Sequence, residues 1–93
     1  MSRRAAHLRI TGLVHGVGYR DWAMRKAGSL GLDGWVRNRV DGSVEAVIAG
    51  EDTAVTAMIQ ACHTGPATAD VAHVGATDWS QPVAAGFEIL RTA

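Results

Sequence analysis

His7-Leu8-Arg9-Ile10-Thr11-Gly12-Leu13-Val14-His15-Gly16-Val17-Gly18-Tyr19-Arg20 is the stretch on which the reading of the fold turns. Residues 7–14 alternate, with Leu8, Ile10 and Val14 on one parity, and read as a half-buried strand. Residues 15–20 are too rich in glycine to continue regular structure and are expected to form a tight loop. From Asp21 the period changes. Ala23, Ala27 and Leu30 fall at i, i+4 and i+7, Met24 widens the stripe, and Gly31 is suited to end the helix. A strand thus feeds through a glycine loop directly into a helix N-terminus.

The same reading extends to the C-terminus. Residues 35–40 and 43–49 are strand-like runs joined through Asp41-Gly42, a dipeptide suited to the positive φ values of a type I′ hairpin turn. Val55, Met58, Ile59 and Cys62, at i, i+3, i+4 and i+7, predict a second amphipathic helix that Gly65-Pro66 closes. Residues 71–79 and 87–91 are the remaining strands, separated by a loop around Pro82 and Gly86. The order βαββαβ, with a short extra C-terminal strand, predicts an α+β fold: the split βαβ arrangement, an antiparallel sheet with both helices on one face.

A chain of 93 residues fits one domain, 1–93, and its 47% hydrophobic content suffices for one core. Nine basic and nine acidic residues cancel, which removes the positive field that nucleic-acid or anionic-membrane attachment requires. Any anion recognition must be local. Cys62, the single cysteine, can form neither an internal disulfide nor a cysteine-based zinc site, and a reducing cytoplasm fits best. Arg3 and Arg4 are followed by polar His7, Arg9 and Thr11 rather than the apolar run of a signal peptide, and no run approaches transmembrane length. A soluble, unprocessed protein is expected.

Gly16 and Gly18 let the backbone turn so that successive N–H groups converge on an anion, and the following helix adds its positive end. Arg20 can offer two phosphate oxygens a planar, permanently charged fork. A connector with a solvated arginine is the plainer reading of such a loop in isolation. The Walker loop, which needs Gly-Lys followed by Ser or Thr, is missing, and Asp21 stands where the dinucleotide fingerprint needs its third glycine. Asn38 shares parity with Val36 and Val40 and is expected to point inward, where its amide either bonds neighbouring backbone or orients a water.

Several ordered blocks carry a family likeness. The segment Gly12-Leu-Val-His-Gly-Val-Gly-Tyr-Arg20, then Gly31-Leu-Asp-Gly-Trp-Val-Arg-Asn38, then Asp41-Gly-Ser-Val-Glu45 resembles the acylphosphatase family. Gly65-Pro66, Ala69, Val71 and the terminal Phe87-Glu-Ile89 extend the likeness over nearly the whole chain. The resemblance implies a ferredoxin-like sandwich and hydrolysis of acyl phosphates to a carboxylate and inorganic phosphate. It implies Arg20 as the phosphate-binding arginine, Asn38 as the water-orienting asparagine, and a cradle completed by the amides of His15, Gly16, Val17, Gly18, Tyr19 and Arg20. His15 stands where the family usually has Gln, and Tyr19 where it usually has Phe; a buried tyrosine hydroxyl must find a partner.

The implied chemistry asks for little. A carboxylate leaving group, with a pKa of roughly 4, departs without protonation. No acid–base pair or nucleophile is then needed beside the loop, and positioning and charge stabilisation carry the reaction. The substrate phosphate is expected to take the proton of the water. Neither cofactor nor metal is expected, and a monomer without nucleic-acid or membrane partners is the reading. Cys62 reads as a structural thiol, and His7, His63 and His73 lack metal-site spacing. Trp22, Trp35 and Trp79 read as scattered packing residues, Trp35 being the best core candidate, and Arg37 and Arg39 as a solvated strand face. The rival readings are a non-catalytic phosphate- or RNA-binding module of the same fold and a carbamoyl-phosphate-handling domain like that of hydrogenase maturation proteins. Turnover of benzoyl phosphate separates the enzyme from the first; a chain of one domain, without following zinc-module cysteine pairs, argues against the second.

Overall fold

Alternation and helical period sort the chain into β1 (Arg3–Leu13), α1 (Tyr19–Ser29), β2 (Asp33–Asn38), β3 (Val44–Glu51), α2 (Asp52–Cys62), β4 (Asp70–Asp78) and β5 (Phe87–Ile89). The structure, a computed structural model, describes residues 2–93. The strands form a five-stranded sheet in the order β4-β1-β3-β2-β5. β1 pairs antiparallel with β3 and β4, and β2 antiparallel with β3. β1 and β2 therefore run the same way with β3 between them, which makes β1-α1-β2 a split βαβ unit, and β3-α2-β4 repeats it around β1. The sheet is antiparallel except at β5, which joins the outer edge of β2 in parallel.

One parity of each inner strand supplies the core. Ala6, Leu8 and Ile10 of β1, Val36 of β2, and Val44, Ala46 and Ile48 of β3 meet Ala23 and Ala27 of α1 and Val55, Met58 and Cys62 of α2 in one buried cluster. α1 lies against β2 and β5, and α2 against β1, β3 and β4, so both helices cover the same face. Met24, expected to widen the stripe of α1, is 36% exposed. Tyr19 takes its place at the other end of the stripe, one turn before Ala23, because the helix begins two residues earlier than its first apolar repeat indicates.

Tyr19 also fastens the two helices together. Its ring is buried, and its hydroxyl donates to the Cys62 carbonyl at 2.7 Å, one of the terminal carbonyls that a helix leaves without an intrahelical donor. Burial pushes the Tyr19 phenol far above its ordinary range, so it remains a donor at any pH the fold survives. Burial likewise raises the Cys62 thiol, to about 11, which keeps it protonated and structural.

The face opposite the helices corrects two expectations. Trp35 is not in the core cluster: it is one residue out of step with Val36, so it projects to the open side of the sheet. There it meets Trp79 edge-on at 6.4 Å between centroids, and the Arg37 guanidinium lies 4.9 Å over its ring. Two of the tryptophans are thus gathered rather than scattered, with His7 stacked on Trp79 at 5.6 Å. Val47, the register partner of both His7 and Trp35, is fully buried on this side. Arg37 and Arg39 do share the open face with solvent, but both bond the Glu45 carboxylate, which also lies 2.7 Å from His7 Nε2. Burial pushes the Glu45 carboxyl up; the bonds from His7 and Arg37 outweigh it and hold the group below its usual value.

The β2–β3 hairpin differs from its expected form as well. A type I′ turn needs positive φ at both Asp41 and Gly42, and only Gly42 has it, at 93°. Arg39 N–H bonds the Ser43 carbonyl and Gly42 N–H the Arg39 carbonyl, which leaves Val40, Asp41 and Gly42 as a three-residue loop. Val40 sits at its tip, 87% exposed, and not on the core parity assigned to it, because the strand has already ended at Asn38.

Tyr19→Phe removes the donor that satisfies the Cys62 carbonyl while keeping the ring. Urea unfolding of this variant is expected to show a loss of about 0.5–1.5 kcal/mol against the parent.

Candidate active site

At the end of β1 the chain turns through residues 14–18 and enters α1. Gly16 has φ 69° and Gly18 φ 79°, with Val17 between them at negative φ. Alternation of left- and right-handed conformers is what folds successive amides into an anion nest. An added Cβ at either glycine would meet nothing within 4 Å, so it is the backbone conformation and not crowding that selects glycine here. Gly18 is also the N-cap of α1, with no side-chain oxygen over the helix start. Among the described residues no amide from His15 to Arg20 donates to a backbone carbonyl; Trp22 N–H is the first of the helix to do so, to Gly18 at 3.0 Å.

The loop borders a cleft of about 250 Å³, smaller than the roughly 300–1,000 Å³ of sites for drug-sized ligands. Gly16, Gly18, Tyr19 and Arg20 form one wall and Asn38 another. Arg20 stands in the first turn of α1, half-buried, and among the described residues no carboxylate lies within ion-pair distance of it. Asn38, the last residue of β2, is 8% exposed, and its Oδ1 has no hydrogen-bond partner among the described residues. A buried acceptor left open beside an unpaired guanidinium is an arrangement that folding alone would not favour.

Of the residues singled out in the sequence, Arg20, Asn38, Gly16, Gly18 and Tyr19 therefore converge on one cleft. His15 and Val17 are not among the residues that line it. The His15 imidazole turns away, Nε2 lying 2.7 Å from the Ser43 carbonyl oxygen, and Val17 packs against the core while its carbonyl accepts from Thr68 Oγ1 at 2.6 Å. Val14, Asp21 and Ile89 complete the lining and were not foreseen. Val14 and Ile89 read only as strand residues; Asp21 read only as a helix start, although its position next to Arg20 was a usable signal. Tyr19 borders the cleft while its hydroxyl serves the fold.

Ser43, 2% exposed, is a further residue that sequence reasoning missed. Its N–H and Oγ–H both donate to Asp41 Oδ1, at 2.9 and 2.6 Å, while its carbonyl accepts from Arg39 and faces His15. The hydroxyl and amide of Ser43, then Arg9, hold the Asp41 carboxyl far below the usual carboxylate range. No group of three or more His, Cys, Asp or Glu among the described residues is placed to hold a metal ion. No helix among them is long and apolar enough to cross a membrane.

Comparison with known proteins adds an independent line. The acylphosphatase family model matches residues 6–89. An acylphosphatase of Rhizobium meliloti (strain 1021) is 54% identical over 90 residues, covering 96% of this chain and 95% of that one. Among solved structures, an acylphosphatase from Coxiella burnetii matches with a TM-score of 0.91 at 30% identity, over 95% of this chain and 93% of its own. Full-length HypF, solved in its phosphate- and nucleotide-bound form, gives a TM-score of 0.89 at 22% identity, 98% of this chain matching 12% of HypF; that likeness bears on the fold alone.

The depressed Asp41 pKa carries a pH signature. A carboxyl held low in the folded state contributes stability that is fully present above its unfolded value, roughly 4, and lost as pH falls through the folded value. Asp41→Asn is therefore expected to be less stable than the parent at pH 6, with the gap closing as pH drops below about 4, as urea midpoints across that range would show.

Proposed function

The chain belongs to the acylphosphatase family, which makes it a hydrolase, and we propose that it performs that reaction with the loop amides, Arg20 and Asn38 as its whole catalytic apparatus. The observation that carries this reading is the pairing, on the walls of one small cleft, of an uncompensated guanidinium with a buried, open amide oxygen.

The phosphoryl group of an acyl phosphate sits in the cup of residues 15–20, its oxygens taking the free N–H groups while Arg20 binds two of them with its fork. A water donates one hydrogen to Asn38 Oδ1, which fixes it opposite the acyl oxygen. The water oxygen attacks phosphorus as the bond from phosphorus to the acyl oxygen breaks, and the carboxylate departs with the bonding pair. One proton of the water passes to a phosphoryl oxygen, so the products are a carboxylate and inorganic phosphate. As charge redistributes over the phosphoryl oxygens, Arg20 and the fixed amide dipoles bind it more tightly than they bind the ground state.

The substrate is a small acyl phosphate. The chain acts as one domain, as a monomer in the cytoplasm, without nucleic-acid partner, membrane or cofactor. The charge pattern supports this: on the open sheet face Arg9, Arg37 and Arg39 each pair with Asp41 or Glu45, which leaves little free positive charge for a polyanion.

Steady-state hydrolysis of benzoyl phosphate tests the proposal, with inorganic phosphate as competitor. Arg20→Ala is expected to lose both phosphate inhibition and turnover, by about 10³-fold or more. Asn38→Ala is expected to keep phosphate inhibition within a few-fold while kcat falls by about 10²-fold or more. Turnover is expected to persist undiminished in EDTA. A parent protein that binds phosphate and leaves benzoyl phosphate intact, or an Arg20→Ala protein as fast as the parent, would overturn the assignment.

A further inference from the structure

We propose that His15 is a positioning residue that sets the spacing between the anion cup and Asn38. The inference rests on the roles given to the cup and to Asn38 above.

Pairing between β1 and β3 ends at Ile10 and Val44, and pairing between β2 and β3 ends at Asn38 and the same Val44. Beyond that rung β1 continues against β4 alone, through a register shift at Thr11 and Gly12, so the cup and the β2–β3 hairpin are no longer joined by the sheet. Side-chain bonds must hold what lies past this point. Val17 is tied to Thr68 and Tyr19 to Cys62, and both bonds anchor the cup to α2 and the segment after it. His15 alone, among the described residues, gives the loop a side-chain bond to the other bank: the half-buried imidazole reaches Ser43, the residue preceding Val44, across a separation of 28 positions.

The anchor is firm. Ser43 is fixed through its N–H and Oγ to Asp41 and through its carbonyl to Arg39, which follows Asn38 directly. A carbonyl oxygen only accepts, so His15 Nε2 must carry the hydrogen and donate it. The imidazole does not border the cleft, which separates its side chain from phosphate contact. An in-line water displaced by about 1 Å costs on the order of 10²-fold in rate, whereas a cup already built from backbone amides keeps its anion. His15 therefore acts on the rate and not on binding.

The test is a kcat-against-binding split in variants that differ in donor reach. Gln carries an Nε2 donor as many bonds from Cβ as that of His, and Asn carries its donor one bond short. With benzoyl phosphate, His15→Ala and His15→Asn are expected to lower kcat about tenfold or more, with KM and the inhibition constant of inorganic phosphate within about threefold of the parent. His15→Gln is expected to stay within about threefold in all three. Thermal melts accompany the assays, and if His15→Ala fails to fold, His15→Asn decides. Parent-like kcat in His15→Asn overturns the proposal, as does a loss of phosphate inhibition in proportion to rate, or a His15→Gln as slow as His15→Asn. A parent protein that does not hydrolyse benzoyl phosphate instead defeats the functional reading on which this one rests.

Discussion

The backbone amides of residues 15–20 donate to no backbone carbonyl among the described residues, and Gly16, Gly18, Tyr19 and Arg20 line one cleft, which makes this loop the constraint on which the site depends. Gly16 and Gly18 are exposed, so water meets these groups until a ligand takes its place. The buried Val14 follows β1 on one side, the helix on the other begins with the buried Tyr19, and two positive-φ glycines lie between them. The fold supplies the energy that holds this conformation through the side chains on either side, and an anion is the ligand that best satisfies it.

The sheet order explains why the opening lies where it does. Because β1 and β2 run parallel on either side of β3, their C-terminal ends share one edge, and β3 starts at that edge. Val44 faces Ile10 on one side and Asn38 on the other, so it is the last rung common to both. Past it the strands diverge, which opens the space that the cup and the Asn38 amide border. The parallel strand β5 walls the outer side of β2 and brings Ile89 to the cleft. One topological feature thus brings Arg20 and Asn38 to one cleft, although 18 positions separate them.

The elements, and the two residues that meet at the cleft, Arg20 and Asn38, were legible because both rest on local pattern. The period changes from two to 3.6 at the glycine loop, and Asn38 falls on the parity of Val36 whatever the sheet does beyond it. Parity failed where a strand's end decided the outcome, as at Val40; at Trp35 it held, and the expectation of a core ring there disregarded the alternation with Val36. Turn type failed at Asp41 because the Asp41 carboxylate bonds Ser43, a local competitor that keeps its own φ negative. The places of Val14, Ile89 and Ser43 were unreadable for a different reason. Each acquires its place from pairing or packing partners tens of positions away, and nothing in its own neighbourhood records that.

Charge pairing distinguishes Arg20 from the arginines of the strands and the β2–β3 hairpin in a way no local pattern could. Arg3, Arg4, Arg9, Arg37 and Arg39 each have a carboxylate within ion-pair distance, which spends their field on the fold. Asp21, adjacent in sequence and lining the same cleft, does not pair with Arg20. Had it done so, a ligand would first have to displace a bonded carboxylate, and the guanidinium would meet the phosphoryl oxygens already half neutralised. Asp21 instead sits in the first turn of α1, where the helix dipole favours an anion. The carboxylate is stabilised by the helix and the guanidinium is left to the ligand, in a cleft that Arg20 and the loop amides share.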